Sequence, residues 1–507
     1  MIDLLSLSGP STAVILLIAL LLLYLFRLNQ LLLSTPDEIA KITSPPWTDD
    51  LLQETYTRLE NNPIDPASYA SRIPPKLERR YIITGGSGLV GSAITTHLLA
   101  RGHPPSALRI LDLRPPSPKS PSPSPNQPSN DIPFLKTDIS SLPSTLSAFT
   151  HPWPSTVSHL PLTVFHTAAV IIPSDRSRWT AAWRVCERVN VQGTRNVLEA
   201  ARGVGADVLV STTSGSIGIW PVRVWISLWG VVSSLLFGGR GKYPRGYWQV
   251  LDTRDFDAPM RRFEEFYAGY PVSKARAERM VCEANCEGLR TGCVRPANGV
   301  YGDPTDNTVG GSLGRDVLPT WSSHIVNSFA HSTNVALAHL DFEAILAASP
   351  SSAHSPQTGR PFIITDPNPP IRFADMHQLI STLSITPFRT TPLPPVLMLL
   401  ISYPIEWYIV ARARYPSLGR VLPEITGDIK HIQPGIFSIC THLVASNEAA
   451  ERPVSEGGLG FRGVITTLEG MAMEVLEWNR VQREAKGKRV YQTSVAFADE
   501  IARGARN

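Results

Sequence analysis

Short apolar runs rich in β-branched residues recur along the chain. They are RYIITGG (80–86), LRILDL (108–113), PFLKTDI (133–139), LTVFHTAAV (162–170), ADVLVSTTS (206–214) and TGCVRPANG (291–299). Helical spacing fills most of the intervals, as in NVQGTRNVLEAARGVG from Asn190 to Gly205. Strands that are apolar nearly throughout, alternating with helices, predict an α/β fold with a parallel sheet covered on both faces.

Five stretches depart from this alternation. TAVILLIALLLLYLF runs from Thr12 to Phe26 without a charge. With the upstream LLSLSGPS it makes roughly 23 mostly apolar residues, enough to cross about 30 Å of hydrocarbon. Asp3 precedes it, Arg27 follows it, and no small-residue cleavage site lies nearby, so residues 1–34 are expected to be a retained single-pass transmembrane anchor. Arg27 and Lys41 lie on its C-terminal side, which places the body of the protein in the cytosol. Residues 35–78 read as a polar, proline-dotted tether. PPSPKSPSPSPNQPSN (115–130) is low-complexity and is expected to be a disordered loop. IWPVRVWISLWGVVSSLLFGGR (219–240), within an insertion at 219–265, carries Trp220, Trp225 and Trp229 with few charges. It suits either the bilayer interface or a buried helix. PPVLMLLISYPIEWYIVARAR (394–414) poses the same choice, and Pro404 and Glu406 argue against its crossing a membrane.

The strand at 80–84 runs into GGSGLVG, with Gly85, Gly88 and Gly91 spaced for a phosphate-binding turn that opens a helix. Gly85 allows the tight turn, Gly88 lets the backbone approach a pyrophosphate, and Gly91 lets helix and strand pack closely. Leu89 and Val90 then lie in the first helical turn, where free N–H groups and the positive dipole end face the phosphates. Asp112 ends the second strand, 21 residues past Gly91. A carboxylate there accepts the hydroxyls of an adenosine ribose and repels a 2′-phosphate, which favours NAD over NADP. Arg109 and Arg114 stand nearby and argue the reverse. Asp138, at the end of the third strand, suits either the adenine or the cap of the following turn.

Tyr270 and Lys274 sit one helical turn apart in YPVSK and share a face. A lysine ammonium beside a phenol, together with a nicotinamide cation, is expected to lower the phenol's pKa from about 10 and make it a proton acceptor. His166 lies within a strand and is expected to be a hydrogen-bonded structural histidine. Asn190 is expected to position local backbone, and Tyr267, with no lysine four residues on, is expected to pack.

The turn TGGSGLVG together with YPVSK resembles the short-chain dehydrogenase/reductase superfamily. VFHTAAV, NVQGTRNVLEAA, VRPANGVYG, GRPFIITD and GLGFRGVITTLEGMAMEVLEW are similar to blocks of its extended branch. The resemblance covers residues 79–480 and is nearest to the membrane-associated 3β-hydroxysteroid dehydrogenases, including sterol-4α-carboxylate 3-dehydrogenases. The anchor, the Pro/Ser loop and the insertion depart from it. It implies a doubly wound Rossmann domain over 79–320, a smaller substrate-binding region over 321–490 and a tail over 491–507. It also implies a catalytic set of Ser214, Tyr270 and Lys274, with Tyr270 and Lys274 touching NAD as well. Among the hydroxyls of VSTTSGS, matching the family's block puts the substrate-orienting role on Ser214, with Thr213 as the alternative. The implied substrate is a lipophilic sterol or triterpenoid alcohol, and the implied location is the endoplasmic reticulum membrane. Epimerisation or carbonyl reduction of another lipid or secondary metabolite, and a catalytically silent NAD-binding scaffold, are the competing functions.

Composition narrows this little further. The chain has 507 residues and a net charge of +4, so nucleic acid is not expected as a partner. The bilayer is an expected partner and a homodimer is left open. The five cysteines, Cys186, Cys282, Cys286, Cys293 and Cys440, show no paired framework and suggest reduced thiols. Cys282 and Cys286 lie four apart without a further ligand at metal spacing, so helix packing is expected and no metal.

Overall fold

The computed structural model describes residues 9–116, 131–172, 183–227, 229–230, 243–348, 355–485, 491–493, 496 and 500. The low-complexity loop beyond Pro116 and the middle of the apolar insertion lie outside the described residues.

Seven strands form the central sheet: β1 (Arg80–Thr84), β2 (Leu108–Asp112), β3 (Phe134–Lys136), β4 (Leu162–His166), β5 (Val208–Thr212), β6 (Arg290–Pro296) and β7 (Pro361–Ile364). Their order is β7-β6-β5-β4-β1-β2-β3, and every pairing is parallel. The strand order reverses between β1 and β4. There the strand ends diverge and open the crevice in which doubly wound sheets bind ligands.

Strand alternation sets the two faces of the sheet. Tyr81, Ile83, Val208 and Val210 join one core, built with Ile94 and Leu98 of α3 (Leu89–Ala100) and Val335, Leu340 and Phe342 of α6 (Ser332–Ala347). Their alternates Ile82 and Leu209 join the other core with Val197 and Leu198 of α4 (Gly193–Gly203) and Val281 and Cys282 of α5 (Gly269–Glu283). The helices therefore cover both faces.

A four-stranded sheet joins distant parts of the chain, in the order Ile371–Arg372, Val326–Asn327, His442–Ala445 and Trp248–Leu251. The last of these belongs to the insertion at 219–265, so its C-terminal part is structural and pairs with the region after residue 320. Residues 35–78, expected to be a tether, hold helix α2 (Asp49–Asn61). Thr48 caps α2 by accepting the N–H of Leu51 (3.3 Å). Leu52 and Leu59 of α2 pack with Trp47, with Leu379 of α7 (Phe373–Leu383) and with Trp478 of α9 (Thr467–Glu484). The segment is thus part of the folded body.

At the N-terminus, α1 (Gly9–Leu32) is exposed at every residue from Ala13 to Leu23. Only its last third enters the body, where Leu28 and Leu32 pack against Val224 and against Val396 and Leu399 of α8 (Pro395–Arg414).

Candidate active site

β1 ends in a turn that only glycines can make. Gly85 has φ +72, and a Cβ there would lie 2.5 Å from the Ala168 nitrogen. A Cβ on Gly91 would lie 2.4 Å from the Gly85 carbonyl oxygen. Thr167, just past β4, clamps the turn by donating to the carbonyls of Thr84 (2.8 Å) and Gly85 (3.2 Å). Gly88 opens α3 with no side chain capping it, which leaves the first turn, Leu89 and Val90 included, with the uncapped N–H groups that suit an anion. A glycine cradle at the strand switch, leading into an uncapped helix, fits a pyrophosphate.

Asp112 stands beside this turn. Its carboxylate accepts the N–H of Ser87 (3.1 Å) and of Leu113 (2.7 Å). Burial holds its pKa above the usual carboxylate value, partly offset by those N–H groups. Arg109 does not reach the ribose position. It is buried behind β2, donates to the carbonyls of Ala148 (3.2 Å) and Pro152 (2.9 Å), and stacks on Trp153 (3.9 Å). The charge of Arg109 is therefore turned away from Asp112, while that of Arg114 still acts on the carboxylate. Asp138 is exposed and its carboxylate accepts the N–H of Ser140 (2.9 Å), a local turn.

The candidate set Ser214, Tyr270 and Lys274 gathers where β5 meets α5. Lys274 is buried, and its Nζ donates to the carbonyl of Thr212 at the end of β5 (3.0 Å). Burial pulls its pKa down to about 8, with Cys293 and Glu278 pulling the other way. Tyr270, one turn earlier, has its phenol close enough to Ser214 for that hydroxyl to favour the phenolate. Ser214 also donates to Ser216 Oγ (2.8 Å) and accepts the Ser216 N–H (3.2 Å), which fixes its rotamer. Thr213 is committed elsewhere, donating to Glu278 (2.7 Å).

The electrostatics differ from expectation in one respect. Burial raises the Tyr270 phenol above its ordinary value, and the Ser214 hydrogen bond offsets this only in part. The expected depression by Lys274 is not a property of the protein alone. Enclosure strips water from the phenolate, and the lysine directs its hydrogen bond to Thr212.

Supporting groups surround the set, and of these only Asn190 was anticipated from the sequence. Ser273, inside the YPVSK stretch, donates to the Tyr270 carbonyl (2.6 Å) and accepts from Asn190 Nδ2 (2.9 Å). Asn190 also holds the backbone of Val170 through its carbonyl (3.0 Å) and N–H (2.9 Å). It lies in a π-helical turn, Glu187–Gln192, a distortion common at functional sites. Beneath Lys274, Glu278 takes two hydrogen bonds from Arg295 (2.7 and 2.5 Å), and Arg295 also donates to Asp255 (2.6 Å). A glutamate four residues past the lysine and an arginine in VRPANG were the available signals.

His166 is buried between the hydroxyls of Thr84 (2.7 Å) and Thr194 (2.9 Å), and burial pushes it down to about 3. It is neutral and structural. Tyr267 packs against Ile219, Leu251 and Leu443. The Cys282 thiol meets Cys293 (3.8 Å) rather than Cys286, which is exposed.

With this geometry in place, the chain can be set beside known proteins. The pattern of the 3-beta hydroxysteroid dehydrogenase/isomerase family matches residues 82–220 and 253–394. A second pattern, described as male sterility protein, matches residues 161–321. A decarboxylating sterol-4-alpha-carboxylate 3-dehydrogenase of Candida albicans is 27% identical over 57% of this chain and 70% of its own. Short-chain dehydrogenase/reductase family 42E member 1 of Mus musculus is 27% identical over 81% of this chain and 89% of its own. A 3beta-hydroxysteroid-dehydrogenase/decarboxylase of Arabidopsis thaliana is 24% identical over 59% of this chain, and the match spans only 46% of that protein. The first family pattern covers more than half of the residues and contains both the glycine turn and the Tyr270–Lys274 helix. The chain belongs to the 3-beta hydroxysteroid dehydrogenase/isomerase family and is an NAD-dependent enzyme of the short-chain dehydrogenase type.

Proposed function

We propose that the protein oxidises the 3β-hydroxyl of a membrane-borne sterol or triterpenoid. The observation that carries this is buried Lys274, whose Nζ donates to the Thr212 carbonyl (3.0 Å) at the crevice end of β5, one helical turn from the Tyr270 phenol on which the Ser214 hydroxyl acts. Ser214 and Tyr270 would both contact the substrate oxygen. Ser214 orients it, and Tyr270 takes the alcohol proton as the C–H bond at the same carbon breaks. Bound NAD would supply the hydride acceptor. Lys274 would hold the nicotinamide ribose and place a positive charge near the phenol. Positive charge near Tyr270 stabilises the phenolate that burial alone disfavours, so base strength develops only when the site is loaded.

The names of the relatives support a sterol. If the substrate bears a carboxylate at C4, oxidation at C3 makes a β-keto acid. Loss of CO₂ then leaves the electron pair on the ketone, and no additional protein group is required. The exposed apolar α1 supports an anchored enzyme, placed in the endoplasmic reticulum with the catalytic body facing the cytosol.

The test is NADH formation by detergent-solubilised full-length protein with 3β-hydroxysterols, with and without a 4α-carboxylate. Turnover of one class assigns the substrate. Normal NAD binding with no turnover of either class would contradict the proposal and favour a different alcohol or carbonyl substrate.

A further inference from the structure

The outer faces of α8 and of the segment around Trp225 have no partner within the described residues, and their chemistry is not that of a water-facing surface. On α8, Val396, Leu399, Ser402 and Ile405 point into the body. The opposite stripe, at helical spacing, is Leu397, Leu400, Ile401, Pro404 and Trp407, all exposed, with Trp407 70% exposed. A helix apolar on both sides belongs in a core or a membrane.

The position of α1 says which. Its charge-free run ends at Phe26, and the next residue is Arg27. The helix enters the protein body over the same turn, with Tyr24 and Leu25 half-buried and Leu28 buried. A spanning α1 therefore brings the body's surface to the level of the lipid interface. Tyr24 stacks on Trp225 (6.4 Å), and Trp225 stacks on Tyr403 of α8 (6.4 Å). The polar tips of this row are satisfied internally. Trp225 Nε1 donates to Tyr403 Oη (2.8 Å), and Tyr24 Oη donates to the Ile226 carbonyl (2.9 Å). Aromatic rings of this kind settle at the headgroup boundary. Because the three rings touch, they share one depth.

We infer that α8 and the Trp225 segment form a platform embedded in the cytosolic monolayer beside α1. This rests on the proposed membrane anchor. The occupant of the apolar stripe is lipid, continuous with the lipid around α1. Half-buried Glu406 and mid-helix Pro404 suit a helix lying in the interface rather than crossing it. Arg412 and Arg414 in the last turn of α8, with Arg420 beyond, supply cations to anionic headgroups. The enzyme would thus be held by its body as well as by a single helix.

The experiment uses full-length protein in phosphatidylcholine–phosphatidylserine vesicles. Trp407→Cys, in a Cys286→Ser, Cys440→Ser background, carries an environment-sensitive fluorophore, and Leu400→Cys serves as a second stripe position. Arg195→Cys on α4, an exposed site, is the control. Lipids spin-labelled high on the acyl chain should quench positions 407 and 400 at least about threefold more than position 195. Alkaline carbonate extraction tests the anchor separately. Protein that resists extraction but shows equal quenching at all three sites would overturn the platform while leaving the anchor standing. A label shielded yet unquenched by lipid, with cross-linking between chains, would overturn it in favour of a second copy. Complete extraction by carbonate would remove the anchor and the platform together.

Discussion

Thr213 donates to buried Glu278 (2.7 Å), while the neighbouring Ser214 presents its hydroxyl to the phenol of Tyr270. Two adjacent hydroxyls at one strand end therefore face different tasks. Ser214→Ala should lower kcat on the order of 100- to 1,000-fold, with little change in stability. Thr213→Val should keep kcat within about tenfold yet cost roughly 1–3 kcal/mol, because Glu278 loses a donor. Turnover and urea denaturation of the two variants check this assignment.

Glu278 faces the buried guanidinium of Arg295 and takes two of its three short hydrogen bonds, the third going to Asp255. Neither side chain meets solvent to any extent. Glu278→Ala leaves that cation without its main partner and should cost about 3–5 kcal/mol. The unfolding midpoint should fall accordingly, and Glu278→Gln should recover part of the loss.

Lys274 titrates at about 8 in the folded protein, against 10.5 for the free side chain. Between those values the unfolded chain holds the extra proton, so wild-type stability rises with pH across that window. At neutral pH the buried ammonium is a net cost. Lys274→Met should therefore be more stable at pH 7, on the order of 2 kcal/mol after loss of the Thr212 hydrogen bond. That advantage should shrink as pH climbs from about 8 to 10.5. Denaturation at several pH values measures it, and turnover should be abolished throughout.

Asp112 and Arg109 should separate in the same way. Asp112→Asn should weaken NAD binding about 10- to 100-fold and narrow the preference over NADP. Arg109→Ala should leave that preference unchanged. It should instead destabilise the fold by about 2–3 kcal/mol, since carbonyls at Ala148 and Pro152 lose their donor. Cofactor titration and unfolding of both variants distinguish the two roles.

Six strands of the sheet were legible as short apolar runs, most of them buried and β-branched, which need no knowledge of their neighbours; β3 (FLK) is only partly buried, and β7 entered only through the family's GRPFIITD block. The glycine turn was legible for a similar reason, since its spacing and its place after β1 are local. Residues 35–78 were not. Trp47, Leu52 and Leu59 are sparse among charges, and their partners Leu379 and Trp478 lie far along the chain. The same holds for Arg109, whose role depends on Trp153. Proximity of Tyr270 and Lys274 was readable from one helical turn. The direction of the phenol's shift was not, because enclosure is a property of the packed fold. Placement of Ser214 over Thr213 followed the family's block; what the packed fold adds is the commitment of Thr213 to Glu278.

The central claim is that the Tyr270 hydroxyl takes the substrate proton. It is tested most directly by comparing Tyr270→Phe with wild type, with NAD affinity and NADH formation measured on the same preparation. Binding should be unchanged, turnover should fall on the order of 1,000-fold, and the wild-type rise of kcat/KM with pH should vanish in the variant. A variant that binds NAD normally and oxidises substrate within about tenfold of wild type, with the same pH profile, would contradict it.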